Sequence, residues 1–148
     1  MYITVLPEML VRWLSSQEDL SDCVFCRAYP PGNRATPLTR PVVVIGSDDM
    51  RVLPNASDDG GNVVTQMRTA DTSFRIGIHV PQSLGGAAAC NVLSRVADAL
   101  LFGTTLTING ISTLPVRYVR NTDSLYLCAT LTVKETLTPA AQRETLIV

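Results

Sequence analysis

Phe74 to Phe102 reads FRIGIHVPQSLGGAAACNVLSRVADALLF, and the change of period inside this stretch decides the fold. Phe74, Ile76, Ile78 and Val80 alternate with Arg75, Gly77 and His79. A period of two places the four apolar side chains on one face of a strand. Pro81 closes that strand, because proline brings no N–H to the ladder. After a short turn in which Ser83 is the expected N-cap, Ala89, Val92, Leu93, Val96, Ala97 and Leu100 recur at helical spacing, with Asn91, Ser94, Arg95 and Asp98 opposite them. The helix is expected to end at Phe102-Gly103, with Gly103 in the left-handed conformation that suits a C-terminus. A strand feeding an amphipathic helix this directly implies a helix layer packed on a sheet, and the remaining segments are expected to supply that sheet.

Working outward toward the N-terminus, Pro7 to Leu14 reads as a short helix with Met9, Leu10, Trp13 and Leu14 as its apolar stripe. Polar Ser15 to Asp22 leads to a strand over Cys23–Tyr29, ended by Pro30-Pro31-Gly32-Asn33. Val42-Val43-Val44-Ile45 is a continuous apolar run, which predicts a strand buried on both faces or meeting another subunit. Met50, Val52 and Leu53 either prolong it past a bend at Gly46–Asp49 or form a separate strand. Residues 54–72 are rich in Asn, Ser, Asp, Gly and Thr and are expected to form one long loop, a length that tends to be functional or ordered only on binding.

Toward the C-terminus, Thr105–Ile108 and Ile111–Leu114 flank Asn109-Gly110, a pattern for a tight turn. Val116–Arg120 and Leu125–Lys134 flank the turn residues Asn121 to Ser124 and are expected to form a hairpin. The tail TLTPAAQRETLIV ends on apolar Leu146-Ile147-Val148, which a monomer would have little reason to expose. The order helix, strands, loop, strand, helix, strands predicts an α+β fold, a mostly antiparallel sheet packed on one face by two helices. Residues 1–137 are expected to form a single domain, with the polar loop at 54–72 and the tail at 138–148.

With 148 residues, 46% of them hydrophobic, the chain can bury one real core. A net charge of −1 implies neither a strong pull on nucleic acid nor an acidic solubilising role. Lys134 is the only lysine among 12 basic residues, and arginine suits interface ion pairs and bidentate contacts better than lysine does; biased codon usage in the source genome would produce the same excess. No apolar run approaches the ~20 residues of a membrane span, and Met1–Leu14 lacks the layout of a signal peptide. A cytoplasmic protein is therefore expected, with Cys23, Cys26, Cys90 and Cys128 as thiols.

No constellation carries catalysis. Cys23-x-x-Cys26 has metal or redox spacing, but no second pair accompanies it, and positions i and i+3 of a strand point to opposite faces. His79, the sole histidine, has no G-x-S-x-G nucleophile motif to serve and is expected at a surface or interface. Gly85-Gly86 lacks the phosphate-loop patterns, and Asp48-Asp49 and Asp58-Asp59 lack calcium-loop spacing. There is no basic run or aromatic-basic strand for nucleic acid, although scattered arginines could line a pore through which DNA passes, contacting phosphates alone. The reading is of a non-enzyme with no cofactor and no metal.

The N-terminal helix ending Arg12-Trp13-Leu14, the unit FRIGIHVPQSLGGAAACNVLSRVADALL and the closing pair VRYVRNTDSLYLCATLTVKET together resemble the tail terminator, or tail-completion, proteins of long-tailed bacteriophages. The resemblance covers most of the chain in order and length. It implies an α+β subunit of a hexameric ring that caps the tail tube and presents a surface to the head connector. Implied partners are copies of itself, the tail tube protein and head connector or neck proteins, with DNA passing non-specifically and no membrane. It implies a place in the virion neck, after assembly in the host cytoplasm. Arg75, His79, Arg117 and Arg120, from their strand positions, are candidates for polar interfaces or the lumen. Asp58, Asp59, Met67 and Arg68 of the loop and Leu146 and Ile147 of the tail are candidates for subunit and tube contacts. Another neck or head-tail joining protein, or a monomeric protein-binding module, is the alternative.

Overall fold

The protein is described by a computed structural model, which describes residues 5–27, 39–53 and 68–137. Among the described residues two α-helices, α1 (Val5–Ser15) and α2 (Gly86–Gly103), accompany six strands: β1 (Val24–Cys26), β2 (Val42–Val52), β3 (Arg68–Pro81), β4 (Thr107–Thr113), β5 (Arg117–Val119) and β6 (Ser124–Leu137). The strands form one sheet in the order β1-β2-β3-β6-β4, with β5 also pairing β6. Only the β1–β2 pair is parallel. The fold is α+β with a mostly antiparallel sheet.

The core lies between that sheet and the helices. Phe74, Ile76, Ile78 and Val80 of β3 are all buried, as their alternation requires, and Leu127, Ala129, Leu131 and Val133 of β6 join them. Val43 and Ile45 extend this face into β2. Leu6, Leu10 and Leu14 recur every fourth residue of α1, and Ala89, Val92, Val96 and Leu100 line one side of α2, so each helix lays an apolar stripe on the sheet. Asp22 ties the layers together: its carboxylate accepts two bonds from Arg95 of α2, at 2.8 and 2.9 Å, and that guanidinium holds its pKa down.

Four local expectations are corrected. Of the loop expected over 54–72, Arg68 to Thr72 belong instead to β3, where all pair with β6 and Ala70 to Thr72 pair with β2 as well; residues 54–67 lie outside the described residues. Thr69 and Thr72 are β-branched, and Ala70 and Thr72 fall on the buried face, where the Thr72 hydroxyl donates to Glu135 (2.6 Å). Asn109-Gly110 is no hairpin turn. It is a bulge inside the continuous strand β4, since β6 offers an unbroken ladder on which both halves pair. Ser83 lies in a short 3-10 turn, and the N-cap is Gly85, whose φ of 81° calls for glycine. Gly103 is the last helical residue without positive φ; extended Thr104 ends α2, its hydroxyl donating to the Leu100 carbonyl (2.6 Å). Glycine at 103 serves a close approach, because a Cβ there would lie 3.0 Å from the Trp13 ring.

β2 is the prolonged strand, running through a bulge between Ser47 and Asp49. β1 is three residues long, and Tyr29 lies outside the described residues. Among the described residues no helix is long and apolar enough to cross a membrane.

Candidate functional site

Neither helix packs on the second face of the sheet, which is built by the residues that alternate with the core. Register places Val24, Val42, His79, Tyr126 and Arg117 in one row across β1, β2, β3, β6 and β5. The next row is Cys26, Val44, Gly77 and Cys128; the one after it is Gly46, Arg75, Thr130 and Ser112. Tyr126 is the centre of this surface. Its ring lies across Gly77, where a Cβ would stand 2.9 Å from the ring edge, and glycine is what permits the crossing. The His79 ring packs on it with centroids 4.7 Å apart, and the Arg117 guanidinium carbon stands 5.2 Å from the Tyr126 centroid, within cation–π range. A shallow depression of about 200 Å³ opens beside the ring, lined by Val44, Gly46, Ser47, Arg75, Gly77, His79 and Tyr126.

The electrostatics of the cluster follow from burial. Burial, with the Arg117 charge added, lowers the His79 pKa to about 4, so the imidazole is neutral at neutral pH. Burial raises the Tyr126 phenol above its ordinary range, and a hydrogen bond with Cys128 adds to the rise. His79 Nδ1 lies 3.3 Å from Ser124 Oγ, which shares a 2.6 Å hydrogen bond with the Thr122 hydroxyl. The pair superficially suggests serine and base. Ser124 is 0% exposed, however, so its oxygen is enclosed where no substrate reaches it. The contact holds the β5–β6 hairpin against β3.

Of the residues singled out from sequence, Arg75, His79 and Arg117 come together on this face. Arg75 donates to Asp48 at 2.8 Å, a partly exposed ion pair across β2 and β3. Arg120 is exposed in the 3-10 turn Arg120–Thr122 that links β5 to β6, outside the cluster. Arg68 opens β3, roughly 36 Å along the strand from His79 at about 3.3 Å per residue, so it belongs to no site with it. Asp58, Asp59, Met67, Leu146 and Ile147 lie outside the described residues. The thiols of Cys23 and Cys26 diverge as strand geometry requires: Cys23 is buried, its pKa raised to about 11 by burial and then by Asp22, while Cys26 contacts the Val43 carbonyl. Among the described residues no group of three His, Cys, Asp or Glu side chains could hold a metal.

Sequence reasoning missed Tyr126, Gly77 and Asp48. A glycine inside an alternating strand was the available signal, since it marks a close approach to the backbone.

The sheet's edges differ in character. From Ala99 to Val116 no residue is charged, so β4 presents an edge with Thr107, Asn109, Gly110, Ser112 and Thr113 exposed and no charge to repel a pairing strand. On the opposite side, among the described residues, β1 pairs only with Val42 to Val44 of β2. The rest of that edge carries Asp48, Asp49 and Arg51, and Arg27 donates to the Ile45 carbonyl at 2.9 Å. No protein-family profile and no curated protein matches this chain.

Proposed function

We propose that the protein is a structural subunit of a long-tailed bacteriophage virion, assembling as a ring that caps the tail tube, ends tail polymerisation and forms the joint to the head connector. The observation that carries this reading is the pair of unlike edges, β4 and the far half of β2, at opposite sides of one sheet. Contacts made with opposite sides of a subunit join copies head to tail, and such contacts close into a ring when the rotation permits. The uncharged β4 edge favours strand addition, whereas Asp48 and Asp49 would oppose their own kind if two β2 edges met. The resemblance of the sequence to tail terminator proteins supports the proposed place in the virion.

In this reading the ring is a hexamer, its partners are the tail tube protein and the head connector or neck proteins, and the subunit catalyses nothing and carries no cofactor or metal. Arg75, His79, Arg117 and Arg120 contribute to polar interfaces or to the lumen, where passing DNA meets phosphate contacts only. The test is absolute mass by light scattering across concentration, with and without tail tube protein, followed by negative-stain images. A six-fold ring with an open centre, alone or on the tube, is expected. A monomer that persists in the presence of tube protein refutes the reading and favours a binding module, and a ring that binds only connector protein places the subunit elsewhere in the neck.

A further inference from the structure

On the helix side of the molecule, the last turn of α1, the turn after it and the C-terminal half of α2 border an open cleft of about 510 Å³. A volume of that order lies in the range of ligand and side-chain pockets. Leu20 and Ala99 give it an apolar lining, and Trp13 and Phe102 give it two aromatic rings. Trp13 is held against the backbone of Gly103. Phe102 is 82% exposed, the most exposed of the large apolar side chains described.

The charges around the cleft do not cancel. Arg95 is engaged by the Asp22 carboxylate, and it also donates to the Asp19 carbonyl at 2.9 Å, which fixes the turn that bears Asp19. The carboxylates of Asp19 and Asp98 line the same cleft and have no side-chain partner among the described residues. The cleft is therefore apolar, aromatic and negative at once.

We infer that this cleft is a docking site for an arginine side chain presented by a segment of a partner protein. A guanidinium is planar and weakly hydrated, stacks on aromatic faces and bonds carboxylates through a fork of N–H donors, which matches Trp13 and Phe102 beside Asp19 and Asp98. A purely apolar occupant would strip water from two carboxylates with nothing in return, and an acidic one would meet like charge. The site stands on the helix layer and does not depend on the ring reading, so the two can fail separately.

Trp13 is the only tryptophan, so its fluorescence reports on the cleft directly. The experiment titrates the full chain with N-acetyl-arginyl-leucinamide and with the same probe carrying citrulline, the uncharged isostere of arginine. A saturable change in Trp13 emission is expected for the arginine probe, weakened on the order of tenfold for citrulline. Asp19→Asn with Asp98→Asn should abolish that preference, and Phe102→Ala should weaken binding while leaving the far-UV circular dichroism unchanged, because that ring is exposed. Equal response to both probes, retention of the preference in the double variant, or no saturation by about 10 mM overturns the proposal. A Trp13 shift that depends on protein concentration without any probe overturns the choice of occupant in favour of a second copy of this chain.

Discussion

Gly77→Ala tests whether the open face is organised by one aromatic crossing. The added Cβ would lie 2.9 Å from Tyr126 Cε2 and 3.0 Å from its hydroxyl, and the ring has His79 on one side and Arg117 over its face. The ring edge must shift, and its contacts with His79 and Arg117 are strained as it does. Overpacking of this kind costs about 1–3 kcal/mol. Against it stands a gain of about 0.4–1 kcal/mol from restricting the unfolded chain when glycine becomes alanine. The net expectation is a loss of about 1–2 kcal/mol, or roughly 2–8 °C in Tm for a chain of this length. In a Tyr126→Ala background the obstruction is gone, so the same Gly77→Ala change should stabilise by about 0.4–1 kcal/mol. Urea denaturation of the four proteins closes a double-mutant cycle with a coupling of about 1.5–3 kcal/mol. If Gly77→Ala is neutral with Tyr126 present, or has the same effect in both backgrounds, the crossing does not constrain the face and the reasoning fails.

Other expectations rest on separate features. His79 has a folded pKa of about 4 against an ordinary 6.5, so between those values the unfolded chain binds the additional proton, and stability contributed by the neutral ring is lost as pH falls from about 6.5 toward 4. Replacing His79 with Gln should flatten denaturation midpoints over that interval, and an unchanged slope would show that other groups take up the proton. Phe74→Ala, which empties a site 1% exposed, should cost about 3–5 kcal/mol, whereas Asp22→Asn, which breaks a partly exposed ion pair, should cost about 1 kcal/mol or less; urea midpoints in the reverse order would contradict the assignment of stability to the core. Ser112→Lys places a charge on the β4 edge at an exposed position, so the monomer should stay within about 0.5 kcal/mol of the parent while light scattering shows loss of assembly; rings that form normally would remove β4 from the interface.

Periodicity made most of the fold legible. The alternation in β3 and the helical spacing in α2 are local consequences of which side chains must leave water, and both elements face the way their patterns require. The β5–β6 hairpin was legible for the same reason, with short polar Asp123 taking the left-handed turn position at φ 46°. Two sequence signals misled because a neighbouring strand outweighed local preference. Asn109-Gly110 would turn the chain if β4 stood alone, and Arg68 to Thr72 would remain loop if β6, joined by β2 from Ala70 on, did not offer a ladder.

The candidate sites were legible only in part. Pattern put His79, Arg75 and Arg117 on polar faces of their strands, but which residues meet depends on register between segments far apart in sequence. Tyr126 joins His79 and Arg117 only because β6 pairs with both β3 and β5 at that row. The helix-side cleft was invisible for a similar reason, since Trp13 and Phe102 converge only because the Trp13 ring of α1 lies against Gly103 at the end of α2. By itself the sequence determined the two helices, the alternating strands β3 and β6, which of their side chains enter the core, and the lack of charge from Ala99 to Val116, because these follow from side-chain chemistry read locally. Strand order, the crossing of Tyr126 over Gly77 and the aromatic cleft were decided by tertiary structure, where side chains remote in the chain compete for the same space.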